Sequence, residues 1–216
     1  MKMMTTLLAT GLLMSGLVSA ADENTHLYEV KVINITKGLS FTPLLAATHT
    51  GGVAFFSTGQ PARGVLADLA EGGDTAPLEA WLLDQPAKVM ATTTTMGLLG
   101  PGESTLFMIE GSDVFNRLSM AGMLLPTNDT FVAINSMVLP TKSKGRYAHA
   151  FDAGSEENDE LCINIPGPTC GGEPFSEGQA EGYVYFGNGI HGNGDLSADE
   201  YDWNNPVARI LVVRMD

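Results

Sequence analysis

Apolar and polar residues alternate over short stretches of this chain, and clusters of turn residues separate the stretches. Tyr28, Val30 and Val32 alternate with Glu29, Lys31 and Ile33, the period-2 pattern of a strand with one face on a core. Runs of this kind predict strands at 27–36, 53–57, 104–110, 117–125, 130–139, 180–187 and 207–215. Residues 131–139 are nearly all apolar, interrupted only by Asn135 and Ser136, which predicts a central strand covered on both faces. Short strands, Gly- and Pro-rich turns and no strand–helix alternation together predict an all-β sandwich or barrel.

Two segments depart from that pattern. Residues 43–48 and 62–71 have helical spacing, with Pro at or before the start of each and Gly72-Gly73 closing the second. Residues 78–83 add a helical turn after Pro77. These read as short helices capping the ends of the sandwich, with Leu66, Leu69 and Trp81 as packing residues. The polar tract 92–95 reads as an extended edge or a loop.

Residues 1–20 carry one charge, Lys2, then an apolar stretch and a small-residue site at Val18-Ser19-Ala20-Ala21. That is the layout of a cleaved secretory signal, with a mature chain from Ala21. The formal net charge of −14 becomes more negative still once Lys2 is removed, which argues against nucleic acid and anionic membrane as partners. Residues 21–216 read as a single domain. Cys162 and Cys170 are separated by a Pro- and Gly-rich segment, and in an oxidising compartment they are expected to pair as a disulfide.

Acidic residues flank the apolar 131–139 run. Asp129 precedes it in Thr127-Asn128-Asp129-Thr130, and Asp152 and Glu156 lie in Asp152-Ala153-Gly154-Ser155-Glu156. Carboxylates gathered at one end of a β-sandwich repel unless a hard cation neutralises them, and Ca²⁺ takes oxygen ligands from loops of this sort. Asp129, Asp152 and Glu156 are therefore the expected ligands, completed by main-chain carbonyls and water. Asn135 lies six strand residues, about 20 Å, from Asp129, and is assigned to a buried hydrogen bond instead. Glu157, Asp159 and Glu160 read as a solvated charged loop.

The order of these pieces resembles the spondin domain family. The resemblance runs through Tyr28-Glu29-Val30-Lys31-Val32, Phe41-Thr42-Pro43, Pro126 to Phe131 and Asp152 to Glu156, then Cys162 to Cys170 and Asp202 to Ile210. It implies an antiparallel C2-like β-sandwich with a bound calcium ion, with Asp129, Asp152 and Glu156 at the family's metal positions. Glu156 stands where the animal domains carry Asp, a difference of one methylene.

Residues 187–200 echo an EF-hand loop, but the required acid, glycine and following helix are out of register. An ordered Gly-rich turn is the expectation, with a weaker cation site at Asp195, Asp199 or Asp202 as the alternative. His191 is the best residue for chemistry by type, yet G-x-S-x-G, H-E-x-x-H and P-loop motifs do not occur. The reading is an exported, non-catalytic, calcium-binding module for adhesion or for an extracellular protein or glycan, with membrane contact disfavoured. The alternative is a metal-dependent hydrolase of an extracellular polymer, using His191.

Overall fold

A computed structural model describes residues 25–216; the expected secretory signal lies outside the described residues. Ten strands form one antiparallel sheet. In chain order they are β1 (Thr25–Asn34), β2 (Ser40–Phe41), β3 (Leu45–His49), β4 (Val89–Thr94), β5 (Ser104–Ser112), β6 (Arg117–Leu125), β7 (Thr130–Val138), β8 (Ser143–Asp152), β9 (Tyr185–Phe186) and β10 (Ala208–Arg214). Helices α1 (Gly64–Gly72) and α2 (Ala76–Leu83) follow β3, and α3 (Ala198–Tyr201) precedes β10. The spatial order is β4-β3-β6-β7-β8-β10-β1-β5, with β2 on β6 and β9 on β8. The sheet rolls over on itself, and Thr48 Oγ1 of β3 donates to the carbonyl of Glu110 in β5 at 2.6 Å. The fold is thus all-β and sandwich- or barrel-like, as the alternation predicts.

Two apolar layers explain why β6 and β7 read as continuous hydrophobic runs. Val132 and Ile134 point inward with Val30, Val32, Phe107 and Met120. Phe131 and Ala133 point outward, against Leu66, Leu69, Leu78 and Leu82 of the two helices. Phe131 is fully buried and meets Phe56 edge-on at 5.2 Å and Phe151 at 5.9 Å. The helices therefore cover a face of the sheet and do not cap its ends.

Other expectations change as well. Residues 43–48 are not helical: Leu45 to His49 form β3, buried at every position and paired on both edges, with β4 and β6. Pairing and burial outweigh the helical spacing of Leu and Ala, whose intrinsic preference is weak. Residues 53–57 form a loop that buries Phe55 and Phe56, and the 180–187 run shortens to Tyr185–Phe186. Thr92 to Thr94 of the polar tract belong to the edge strand β4. β8 escapes the sequence reading because its first half, Ser143 to Tyr147, is mostly exposed and polar. Backbone pairing with β10 on one side organises it there.

Helix α1 ends as expected, with Gly73 left-handed at φ 69°, its amide donating to the carbonyl of Leu69 at 3.0 Å and the Asp74 amide to that of Asp68 at 3.3 Å. Cys162 and Cys170 form the expected disulfide.

Candidate acidic site

Three turns bring Asp129, Asp152 and Glu156 to one end of the β7–β8 hairpin. Thr127 builds the first, its hydroxyl donating to the carbonyl of Leu124 at 2.6 Å and accepting the amide of Thr130 at 3.3 Å. Asp152, the last residue of β8, builds the second: Oδ1 accepts the amide of Gly154 at 2.8 Å. Gly154 sits at φ 64°, and a Cβ there would lie 2.3 Å from the carbonyl oxygen of Tyr183, so only glycine fits. The third forms as Asp129 Oδ2 accepts the amides of Ser155 at 2.8 Å and Glu156 at 3.1 Å.

All three acids are buried. Asp152 Oδ2 accepts from Asn158 Nδ2 at 2.8 Å, and Glu156 Oε1 accepts the amide of Ser176. Asp129 Oδ1 and Glu156 Oε2 are buried with no partner. Glu71, at the end of α1 and also buried, and Glu181 add their charges to the cluster. Among the described residues no ion pair reaches any of these acids.

Uncompensated burial raises their pKa values. Burial pushes Asp129 up, with the Glu156 and Ser155 amides opposing it. Burial and then the charge of Asp129 push Asp152 up to about 7. Burial takes Glu156 up to about 7, against its Ser176 hydrogen bonds and with help from Glu71 and Asp129. Tyr185, whose hydroxyl donates to Glu181 at 3.0 Å, is raised by burial and by Asp152.

Two orphaned carboxylate oxygens in a pocket of anions, with no ion-paired positive side chain among the described residues, fit the chemistry of a hard divalent cation. The geometry is less complete than the chemistry. Asp129 Oδ2 and both Asp152 oxygens are committed to hydrogen bonds, and among the described residues no three His, Cys, Asp or Glu side chains form a ready ligand set. Loading an ion there requires side-chain rotation and main-chain oxygens.

Asn135 makes the expected hydrogen bonds, donating to the carbonyl of Phe56 at 2.8 Å and accepting the amide of Phe55 at 3.1 Å. The acidic run after Glu156 corrects the sequence reading in one position. Glu157 is exposed, Asp159 half-buried, and Glu160 only 2% exposed. Glu160 accepts the amides of His191 at 2.6 Å and Asn193 at 2.7 Å, so one buried carboxylate orders the Gly-rich 187–194 stretch. The missed signal is the glycines themselves, whose closely packed amides form an anion-binding nest. Asp195 Oδ2 accepts the amide of Cys162 at 2.9 Å, a structural role. Exposed His191 places Nδ1 3.5 Å from Glu160 Oε1.

Fold and loops together define an all-β module with an acidic cluster at one end of the sheet. Residues 28–156 match the spondin N-terminal domain, Spondin_N, over more than half of the chain. The chain belongs to the spondin N-terminal domain family. The match ends at Glu156, so the resemblance at Cys162–Cys170 and Asp202–Ile210 lies beyond it. No curated protein matches the chain. Family and disulfide indicate an exported or extracellular protein. No helix among the described residues is long and apolar enough to cross a membrane.

Proposed function

We propose that the protein is an exported, non-catalytic binding module, one domain over residues 21–216, whose acidic loops hold a calcium ion. Asp129, Asp152 and Glu156 are the side-chain ligands, and main-chain carbonyls and water complete the sphere. When bound, the ion supplies charge neutralisation and cross-links the loops after β6 and β8. The chain's own part is to hold those loops in place: Asp129 ties down the 155–156 turn, Asp152 the Gly154 turn, and Ser176 brings the later segment over Glu156. The braced loops then offer an extracellular protein or glycan a fixed surface.

The observation that supports this reading is the pair of buried oxygens, Asp129 Oδ1 and Glu156 Oε2, that have no partner among the described residues, in a cluster that no described cation reaches as an ion pair. Isothermal titration with Ca²⁺ tests it. Binding at about 10⁻⁴ to 10⁻³ M, as in extracellular modules, is expected for the wild type and its loss for Asp152→Ala. No heat of binding in the wild type up to about 10 mM, well beyond that range, overturns the reading.

A further inference from the structure

The β7–β8 hairpin is zipped only at its acidic end. Pairing runs from Thr130 with Asp152 to Ala133 with His149, and beyond that the two strands part. The β6–β7 register shifts between Leu118 and Met120. Opposite the shift, Ser136 adopts φ 58° and donates its amide to the Ser119 hydroxyl at 2.8 Å. This bulge steers β7 away from β8.

A groove of about 810 Å³ lies between the parted strands, lined by β7 and β8, by the 54–58 loop and by Phe186. Here β7 pairs only with β6, and β8 from Ser143 to Ala148 only with β10. Each strand therefore turns an unpaired main-chain edge toward the groove.

The charge of the lining runs against that of the chain. Among the described residues Arg117, Lys144 and Arg146 line the groove and no Asp or Glu does, although acids outnumber bases in the protein by 25 to 11. Among the described residues none of the three cations has an ion-pair partner. Arg117 Nε is buried without a hydrogen bond. Tyr147 and Phe186, also in the lining, leave 58% and 54% of their surface exposed.

We propose that this groove binds an extended acidic peptide segment of a partner protein, which adds as a strand to the free edges of β7 and β8. Main-chain bonds to an unpaired edge give affinity and direction. The three cations select carboxylate-bearing segments. An acidic polysaccharide shares the charge but cannot continue a strand ladder, so the open edges favour peptide. The inference is independent of the calcium reading. Lys144 and Asp152 lie eight residues apart along β8, about 26 Å.

Fluorescence anisotropy of a labelled peptide alternating Glu and Val tests it, with the protein in EGTA and again in Ca²⁺. Saturable binding in both buffers is expected, weakened at least tenfold in Lys144→Gln/Arg146→Gln and several-fold in Arg117→Gln. Binding is also expected to be lost when alternate peptide nitrogens are methylated. Chemical shifts of the Ile134–Val138 amides are expected to move on binding. The proposal is overturned by no binding up to about 1 mM, or by equal binding of a Lys–Val peptide. Undiminished binding of the methylated peptide, or charge-dependent binding of a heparin-type oligosaccharide but not of the peptide, overturns it too.

Discussion

Asp129 Oδ2 accepts the main-chain amide of Glu156 at 3.1 Å, so two of the acids assigned to one ion are already joined through the backbone. The same oxygen takes the Ser155 amide. Asp129→Ala strands both donors in a buried site and is expected to cost about 2–4 kcal/mol. Asp129→Asn keeps an acceptor and is expected to cost less. Urea unfolding in EGTA measures the difference, and equal losses would show that the amide bonds carry little of the stability.

Asp152 and Glu156 ionise near pH 7 in the folded chain, against about 4 when unfolded. A raised carboxyl pKa means the folded state holds its proton more tightly. Its contribution is therefore full below about pH 4 and is lost as pH rises toward 7. The melting temperature of chelated protein is expected to fall across that window, with a shallower fall in Asp152→Asn. Added Ca²⁺ is expected to raise it more at pH 8 than at pH 5. A slope unchanged in the variant refutes the assignment.

Glu160 titrates in the opposite sense. Burial acts to raise its pKa, but the amides of His191, Asn193, Gly194 and Gly192 outweigh that and hold it below the ordinary value. Its contribution is present above about pH 4 and disappears on further acidification. Glu160→Ala is expected to cost about 3 kcal/mol at neutral pH, because buried amides lose a charged acceptor. Glu160→Gln is expected to cost about 1 kcal/mol. Exchange at the His191 and Asn193 amides should accelerate in the first variant, and protection unchanged there would count against the nest.

Phe131 packs among Phe56, Phe151 and the helices. Phe131→Ala is expected to destabilise by about 3–5 kcal/mol, read by chemical denaturation. A loss below about 1 kcal/mol would mean that the helical layer collapses readily into the gap.

The sheet was legible wherever side chains alternate or crowd. Tyr28-Val30-Val32 marked β1, and the apolar 131–139 run marked β7, which is covered on both faces only in its first half, Val138 being 42% exposed. β8 was hidden because Lys144, Gly145 and Arg146 carry no core signal; that half is held by main-chain bonds to β10, which composition cannot report. β3 was misread as helix since Leu-Leu-Ala-Ala suits either state until its neighbours are known. At the acidic end, Asp129, Asp152 and Glu156 were visible as loop acids beside glycine. Glu71 was not, because it reaches the cluster from a helix distant in sequence. Asn135 and Ser136 showed as a break in the apolar run, but the parting of β7 from β8 depends on how Ser119 and Ser136 meet across strands.

The middle of the sheet has its own consequence for how the molecule opens. β6 is paired along both edges and, like the first half of β7, covered on both faces, so its amides can meet solvent only when the whole domain unravels. β5 ends the strand order and keeps Leu106 and Met108 at the surface. Breathing motions start at that margin, and the segment beneath the helices is the last to surrender its protons to deuterium.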